Sequence, residues 1–286
     1  MRAAVVTRFL GAVESLPAKA ALIGVPYDRT QSYRPGAASG PEAIRQASVS
    51  LETYSPALGL DLSELGLADL GDLEVAHLEP RAMVEQVAEA LRGLPPGTLS
   101  VVLGGDHTVT AGAVRAIHAS FPDLRVVVLD AHLDLREAYE GDPWSHACTL
   151  RRVLDHLGDG RLVVLGARSG LREEWELARR HCRWVCEPLA LPETVHAELR
   201  SYPVYLSVDL DVLDPAYAPG VGNPEPGGPS FSELLQALYL LRDLPVVGLD
   251  LVEAAPELDP SGATAVSAAK LVREMVLCFC GPQRAG

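Results

Sequence analysis

Basic charge is what this sequence has least of. Lys19 and Lys270 are its only lysines, 24 Lys and Arg stand against 38 Asp and Glu, and the formal net charge is −14 at pH 7. That balance argues against a nucleic-acid footprint and is compatible with a small cationic substrate. Cysteine is also scarce. The five present, Cys148, Cys182, Cys186, Cys278 and Cys280, are odd in number and show no CxxC spacing, so reduced thiols are expected rather than a disulfide framework or a thiolate metal site. Cys278-Phe279-Cys280 is expected to point its thiols to opposite faces of a terminal strand, where they would not pair. No stretch approaches the ~20 apolar residues of a membrane span, and no charged n-region leads into an apolar h-region. The expectation is a soluble, cytoplasmic chain with no membrane partner.

What is present is ordinary globular material: 48% hydrophobic and 22% charged residues over 286 positions. That length suffices for one sizeable α/β domain, expected to run from 1 to 286 without repeat, linker or low-complexity tract. Ala21–Gly24, Leu99–Leu103, 125–130, Arg161–Leu165, Trp184–Cys186, Val204–Val208 and Pro245–Leu249 read as strands, most of them continuous apolar runs of the buried parallel kind. Met83, Val84, Val87, Ala88 and Leu91 recur at helical spacing and stop at Gly93. Helices are also predicted over 42–48, Ala111–Ser120, 147–156 and Thr264–Arg273, around Leu171, Trp175 and Ala178, and after the capping box Ser230-x-x-Glu233. Asp69–Asp72 reads as a turn and Met275–Cys280 as a last strand. Alternation of this kind implies a mostly parallel sheet covered on both faces, an α/β/α arrangement with all strand ends on one side.

Those ends carry the chemistry. Gly104-Gly105-Asp106-His107 follows one strand, Asp130-Ala131-His132-Leu133-Asp134 a second and Asp209-Leu210-Asp211 a third; Glu253 closes the run after Leu249. His107, Asp130, His132, Asp134, Asp209 and Asp211 are four carboxylates and two imidazoles, more than the roughly four ligands of one Zn²⁺. Oxygen and nitrogen donors without thiolate suit Mn²⁺, Fe²⁺ or Co²⁺. Two ions about 3.5–4 Å apart would use the set fully, acidify a bridging water and keep the crowded carboxylates ionised.

Three stretches carry a resemblance. Gly104-Gly105-Asp106-His107-Thr108, Asp130-Ala131-His132-Leu133-Asp134, and Ser207-Val208-Asp209-Leu210-Asp211-Val212-Leu213-Asp214-Pro215 with Ala218-Pro219-Gly220 through Gly227-Gly228 resemble the signatures of the ureohydrolase (arginase–agmatinase) family. The resemblance spans nearly the whole chain and implies a three-layer α/β/α sandwich, two Mn²⁺ ions and release of urea. It implies His107, Asp130, Asp134 and Asp209 on one metal and Asp130, His132, Asp209 and Asp211 on the other, with Asp130 and Asp209 bridging. By the same resemblance Asp134 holds the bridging hydroxide by a hydrogen bond, His146 of Ser145-His146 is the acid/base or proton shuttle, and Glu253 binds the guanidinium. Asp106 is expected to orient its neighbours. Cys148 reads as a packing residue near the site, and His77, His118, His156, His181 and His196 as surface or locally bonded.

Gly24-Val25-Pro26-Tyr27-Asp28, Ser32-Tyr33-Arg34-Pro35-Gly36 and Gly40-Pro41-x-x-Ile44-Arg45 resemble agmatinases more than arginases, and the Asn-x-His-Gly segment of arginases is absent after His146. An amine-terminated guanidine is therefore expected: agmatine, giving putrescine, or N1-aminopropylagmatine, giving spermidine. Glu137, Glu140 and Asp142 are expected to meet its distal ammonium and Trp144 to offer a cation–π face. Gly220-Val221-Gly222-Asn223-Pro224-Glu225 departs from the agmatinase pattern Gly-Thr-Gly-Thr-Pro-Glu, and Ala147 stands where glycine is common. Arginase and guanidinobutyrase activities are the alternatives within the family. A single-metal deacetylase on the related fold would not need His107 and the full ligand set, and a non-catalytic regulatory relative would be expected to have lost ligands or His146. The resemblance further suggests a homo-oligomer, a trimer or hexamer.

Overall fold

The structure is a computed structural model that describes residues 7–281. In chain order the strands are β1 Ala20–Val25, β2 Tyr54–Ser55, β3 Leu60–Asp61, β4 Leu67–Asp72, β5 Leu99–Gly104, β6 Arg125–Leu129, β7 Leu162–Leu165, β8 Trp184–Cys186, β9 Val204–Asp209 and β10 Val246–Val252. The helices are α1 Gly40–Ser48, α2 Pro80–Arg92, α3 Val109–Ser120, α4 Thr149–Leu157, α5 Arg172–His181, α6 Glu193–Leu199, α7 Phe231–Leu240 and α8 Ala263–Cys280. Eight strands pair in parallel in the order β4-β1-β5-β10-β9-β6-β7-β8, while β2 and β3 form a small antiparallel pair apart.

Alternation along the strands makes the layers. Val101, Leu103, Val127, Leu129, Leu206 and Val208 face one apolar cluster, shared with α1, α6, α7 and α8. Val102, Val126, Val128 and Tyr205 face the other, shared with α2, α3, α4 and α5. Both sheet faces are therefore dry, which is why the strands read as unbroken apolar runs. The result is the three-layer α/β/α sandwich. No helix among the described residues is long and apolar enough to cross a membrane, and all five cysteines are free.

Three local expectations are corrected. Met275–Cys280 is the end of α8, not a strand. Its apolar run cannot be told from a strand by periodicity alone, because α8 lies against the sheet and buries Leu271, Val272, Met275 and Val276 together. The Cys278–Cys280 geometry argued for a strand falls with it. Residues 69–72 are the end of strand β4 rather than a turn. There the carboxylate of Asp69 accepts from Arg45 Nε at 2.8 Å and Nη2 at 3.0 Å, a buried two-pronged pair that tethers α1 to the sheet. Glu193–Leu199 forms a short helix where none was predicted, burying only Val195 and Leu199.

Candidate active site

The sheet order puts β5, β10, β9 and β6 side by side at its centre. Their carboxyl ends release Asp106-His107, Glu253, Asp209-Leu210-Asp211 and Asp130–Asp134 onto one edge. Register makes the approach close: Val252 pairs with Asp209, and Leu129 with Val208. Gly105 lets the end of β5 lie against the loop after β1, since a Cβ there would stand 1.9 Å from Tyr27 O. Two site residues hold backbone conformations that L-residues rarely adopt, Asp134 at φ 47° and Glu253 at φ 69°. Each costs of order 1–3 kcal/mol, and such strain gathers where a side chain must be aimed.

The donor atoms fall into two groups, His107 with Asp130 and Asp134, and Asp130 with His132 and Asp211, each within 4.8 Å. Asp130 joins them. Its Oδ2 lies 3.1 Å from His107 Nδ1 and its Oδ1 3.8 Å from His132 Nδ1. Asp134 Oδ2 is 3.1 Å from His107 Nδ1, and Asp211 Oδ2 is 2.8 Å from His132 Nδ1. Asp209 stands beside the first group, its Oδ2 3.4 Å from His107 Nδ1 and its Oδ1 accepting from Asp211 N at 2.9 Å. It belongs to neither group, so of the two carboxylates expected to bridge only Asp130 spans both.

Charge at this density calls for compensation, by protons or by cations. Asp130 Oδ2 is buried and makes no hydrogen bond among the described residues. Burial, with the field of Asp211, pushes the Asp130 carboxyl up to about 7. Burial, with Asp211 and Asp130, pushes Asp209 well above the carboxylate range. Burial works against a charged His132, but Asp211 prevails and lifts the imidazole to about 10. Burial likewise opposes a charged His107, and the adjacent carboxylates of Asp130 and Asp134 lift it well above an ordinary histidine. Without metal the cluster is held together by protons. Divalent ions fit in their place: the donors are hard oxygens and imidazoles, and one buried carboxylate oxygen is left over.

His107 is set from behind by groups to which sequence reasoning gave no role. Its Nε2 lies 3.0 Å from Ser207 Oγ, which donates to Asp250 Oδ1 at 2.6 Å. Thr110 and Tyr205 donate to Asp250 Oδ2 at 2.8 and 2.7 Å. With the Ser207 proton committed to Asp250, Ser207 accepts from Nε2–H, so Nδ1 is the nitrogen that can give up its proton to a metal ion. The available signal was an aspartate inside a buried strand, which must find donors. Replacing Ser207 with alanine is expected to weaken metal affinity about 10- to 100-fold. Titration of bound ion against a competing chelator measures this, and unchanged affinity would remove the serine from the account.

Next to the donors, His107 N donates to Glu253 Oε1 at 2.9 Å, and His146 Nδ1 lies 3.4 Å from the same oxygen. Burial opposes a charged His146, but the bond and field of Glu253, helped by Asp134 and Asp106, raise it to about 9. Asp106 accepts from Thr30 Oγ1 at 2.8 Å, and Thr30 Oγ1 accepts from His146 N at 2.9 Å. Asp106 is thereby tied through Thr30 to the His146 backbone. Cys148 is buried, and burial first, then Asp134, pushes its thiol up to about 11, which suits packing rather than reactivity.

A cavity of about 420 Å³ opens onto this edge. His132, Asp134, His146, Asp209 and Asp211 line it, together with Arg136, Tyr139, Leu171, Glu174, Tyr33 and Asn223. Glu253, 3% exposed, lies beneath His146 rather than on the wall. The structure does not bring Glu140, Asp142 and Trp144 to this cavity, and the loop reading is corrected accordingly. Glu140 is exposed at φ 50°, Asp142 Oδ1 accepts from Trp144 N, and Trp144 packs on the apolar cluster beside α2–α5. Glu137 pairs with Arg151 at 2.8 Å. The chain folds back between Tyr139 and Asp142, whose backbones bond each other both ways, and this turns the acids outward. Sequence reasoning counted charges along the loop and had no means of seeing that turn.

The geometry has its counterpart in known proteins. The arginase family model matches residues 18–278. The chain belongs to the arginase family. It is 40% identical over 264 residues to an agmatinase of Halalkalibacterium halodurans, covering 91% of each chain. It is 42% identical over 270 residues to an N(1)-aminopropylagmatine ureohydrolase of Thermococcus kodakarensis, covering 91% of this chain and 90% of that one. The structure of an agmatine ureohydrolase of Thermoplasma volcanium superposes with a TM-score of 0.87 at 36% identity, over 96% of this chain and 94% of the other. This arginase-family chain is thus an amidino hydrolase, an enzyme that cleaves guanidino-type groups, built around a His/Asp cluster able to hold metal.

Proposed function

We propose that the enzyme hydrolyses the guanidine end of a linear amine, agmatine to putrescine and urea or N1-aminopropylagmatine to spermidine and urea. The observation that carries the reading is the pair of donor groups joined by Asp130 directly beside His146 and Glu253. His107, Asp130, Asp134 and Asp209 would hold one ion and Asp130, His132, Asp209 and Asp211 the other, two Mn²⁺ per chain. When bound, the pair supplies Lewis acidity and a water acidic enough to attack at neutral pH.

The chain's own side chains do the rest. Glu253 would attract the guanidinium by charge-assisted hydrogen bonds, its φ of 69° fixing the direction of approach. Asp134 would accept a hydrogen bond from the attacking water and so orient it. His146, charged near neutrality because of Glu253, can hand a proton to the departing amine. Glu174, 5% exposed on the cavity wall and bonded by Leu135 N and Leu171 N, replaces the acidic loop as anchor for a distal ammonium. One observation favours a second reading: Arg136 stands on the same wall, 3.7 Å from Glu174, and could receive the carboxylate of guanidinobutyrate or arginine.

The proposal also takes in a single catalytic domain over 1–286, whose ends 1–6 and 282–286 lie outside the described residues, a homo-oligomer of three or six chains, and a cytoplasmic location, all on the family resemblance. The test is urea release by Mn²⁺-loaded protein on agmatine, N1-aminopropylagmatine, arginine and guanidinobutyrate side by side. The largest kcat/KM is expected for one of the two amine-terminated substrates. Guanidinobutyrate or arginine in first place would give the tail to Arg136, and no urea from any of them would overturn the substrate class.

A further inference from the structure

Two side-chain amides beside the site are half satisfied in the same sense. Gln31 Nε2 donates to Glu253 Oε2 at 2.5 Å, while Gln31 Oε1 is buried without a hydrogen-bond partner among the described residues. Asn223 Nδ2 donates to Ser32 Oγ at 2.9 Å, while Asn223 Oδ1 is likewise buried and unpartnered. A carboxylate only accepts, so the nitrogen of Gln31 must face Glu253 and its oxygen must face away. The two amides are neighbours across Gly222, where a Cβ would stand 2.4 Å from Gln31 Oε1 and 2.9 Å from Arg34 O. Arg34 fixes that turn by donating to Val221 O at 2.6 Å and Gly222 O at 3.3 Å. Ser32 Oγ in turn lies 3.0 Å from His146 Nε2. The amide carbonyls are therefore held by the same bonds that hold Glu253 and His146.

Buried carbonyl oxygens left without donors are costly, and native proteins keep few of them. The missing donors have an obvious chemistry. A substituted guanidinium carries five N–H groups in a plane, and a carboxylate offers about four acceptor sites. Glu253 already accepts from His107 N and Gln31 Nε2, and His146 Nδ1 stands 3.4 Å from its Oε1. Glu253 alone would leave most of the guanidinium unpaired.

We propose that Gln31 and Asn223 are specificity-determining residues whose free carbonyl oxygens accept the guanidinium N–H groups that Glu253 cannot take. The inference rests on the guanidine-hydrolase reading above and deepens it. The site then counts N–H donors, not charge alone. An amidine of the same length and charge, with a methyl in place of one amino group, leaves an acceptor unpaired and is rejected.

The test compares agmatine with N-(4-aminobutyl)acetamidine on the Mn²⁺-loaded enzyme, reading the ratio of the inhibition constant of the second to the KM of the first. In the unaltered enzyme the guanidine is expected to be preferred by about 10- to 100-fold, the worth of one or two hydrogen bonds to a charged group. Gln31→Met and Asn223→Leu should each shrink that ratio about tenfold, by weakening the guanidine while leaving the amidine nearly unchanged. Asn223→Asp keeps an acceptor oxygen in place and should retain the preference, with Ser32 Oγ–H donating to its other oxygen in place of the bond accepted from Nδ2. That variant separates an acceptor from a packing residue and serves if the apolar ones fail to fold. An unchanged ratio in Gln31→Met and Asn223→Leu, or its collapse in Asn223→Asp, overturns the inference while urea release from the unaltered enzyme keeps the parent reading. No urea from the unaltered enzyme overturns both.

Discussion

Replacing Asp130 with asparagine is expected to lower kcat by at least about 10³-fold, close to 4 kcal/mol of barrier, and yet to stabilise the metal-free chain. The first effect follows from its position, since Asp130 is the residue that both donor groups share. The second follows from electrostatics. Burial and Asp211 raise the Asp130 carboxyl from an ordinary 3.8 to about 7 in the folded protein. The metal-free folded state therefore binds a proton that the unfolded state releases. Its contribution to stability is complete below the unfolded value and is lost as pH rises through about 7. An asparagine has no such dependence. The stability gap between variant and parent should open as pH rises from about 4 to 7 and stay level above that. Urea assays at saturating Mn²⁺, with denaturant unfolding of the metal-free proteins at pH 5 and pH 8, measure both effects. Equal activity, or a gap that narrows with pH, would contradict the placement of Asp130 between the two groups.

Glu253→Gln is expected to cost about 10²- to 10⁴-fold in kcat/KM, the range for stripping one partner from a buried charge pair. The structure adds a second consequence. Glu253 accepts from His107 N on one oxygen and from Gln31 Nε2 on the other. A glutamine in its place must turn an NH₂ toward one of these donors, and leaving a buried donor unpaired costs about 1–3 kcal/mol of stability. Metal stoichiometry should not change, because Glu253 lies in neither donor group. Kinetics, thermal unfolding and ion content measured on one preparation distinguish these effects. Loss of metal together with activity would mean that Glu253 supports the ions rather than the guanidinium.

Much of this was legible in the sequence because the physics was local. An apolar run buried on both sides and ending in Asp130-x-His132-x-Asp134 announces a strand that delivers donors to its own end. The same logic exposed His107, Asp209 and Asp211, and the sheet order confirms why they meet: β5, β10, β9 and β6 are neighbours although the chain visits them in another order. What stayed hidden depended on distant chain. Ser207 and Asp250 were visible as residues, but the relay to His107 needs β9 beside β10. Gln31 comes beside Asn223 only because Gly222 packs on it from a distant loop. Glu174 approaches Leu135 through the start of α5, so the acid that reaches the cavity is not the acid nearest His146 in sequence. The C-terminal run misled for a simpler reason, since the last turns of α8 are apolar nearly all round and an apolar run of six, four of them buried, fits a helix or a strand equally well.

The most direct test of the account is a titration of metal-free protein with Mn²⁺, counting bound ions while following urea release from agmatine. Two donor groups sharing Asp130, with Asp209 beside the first, predict saturation at two ions per chain, with turnover rising as the second site fills. Full activity with one ion per chain, or turnover with none, would contradict it.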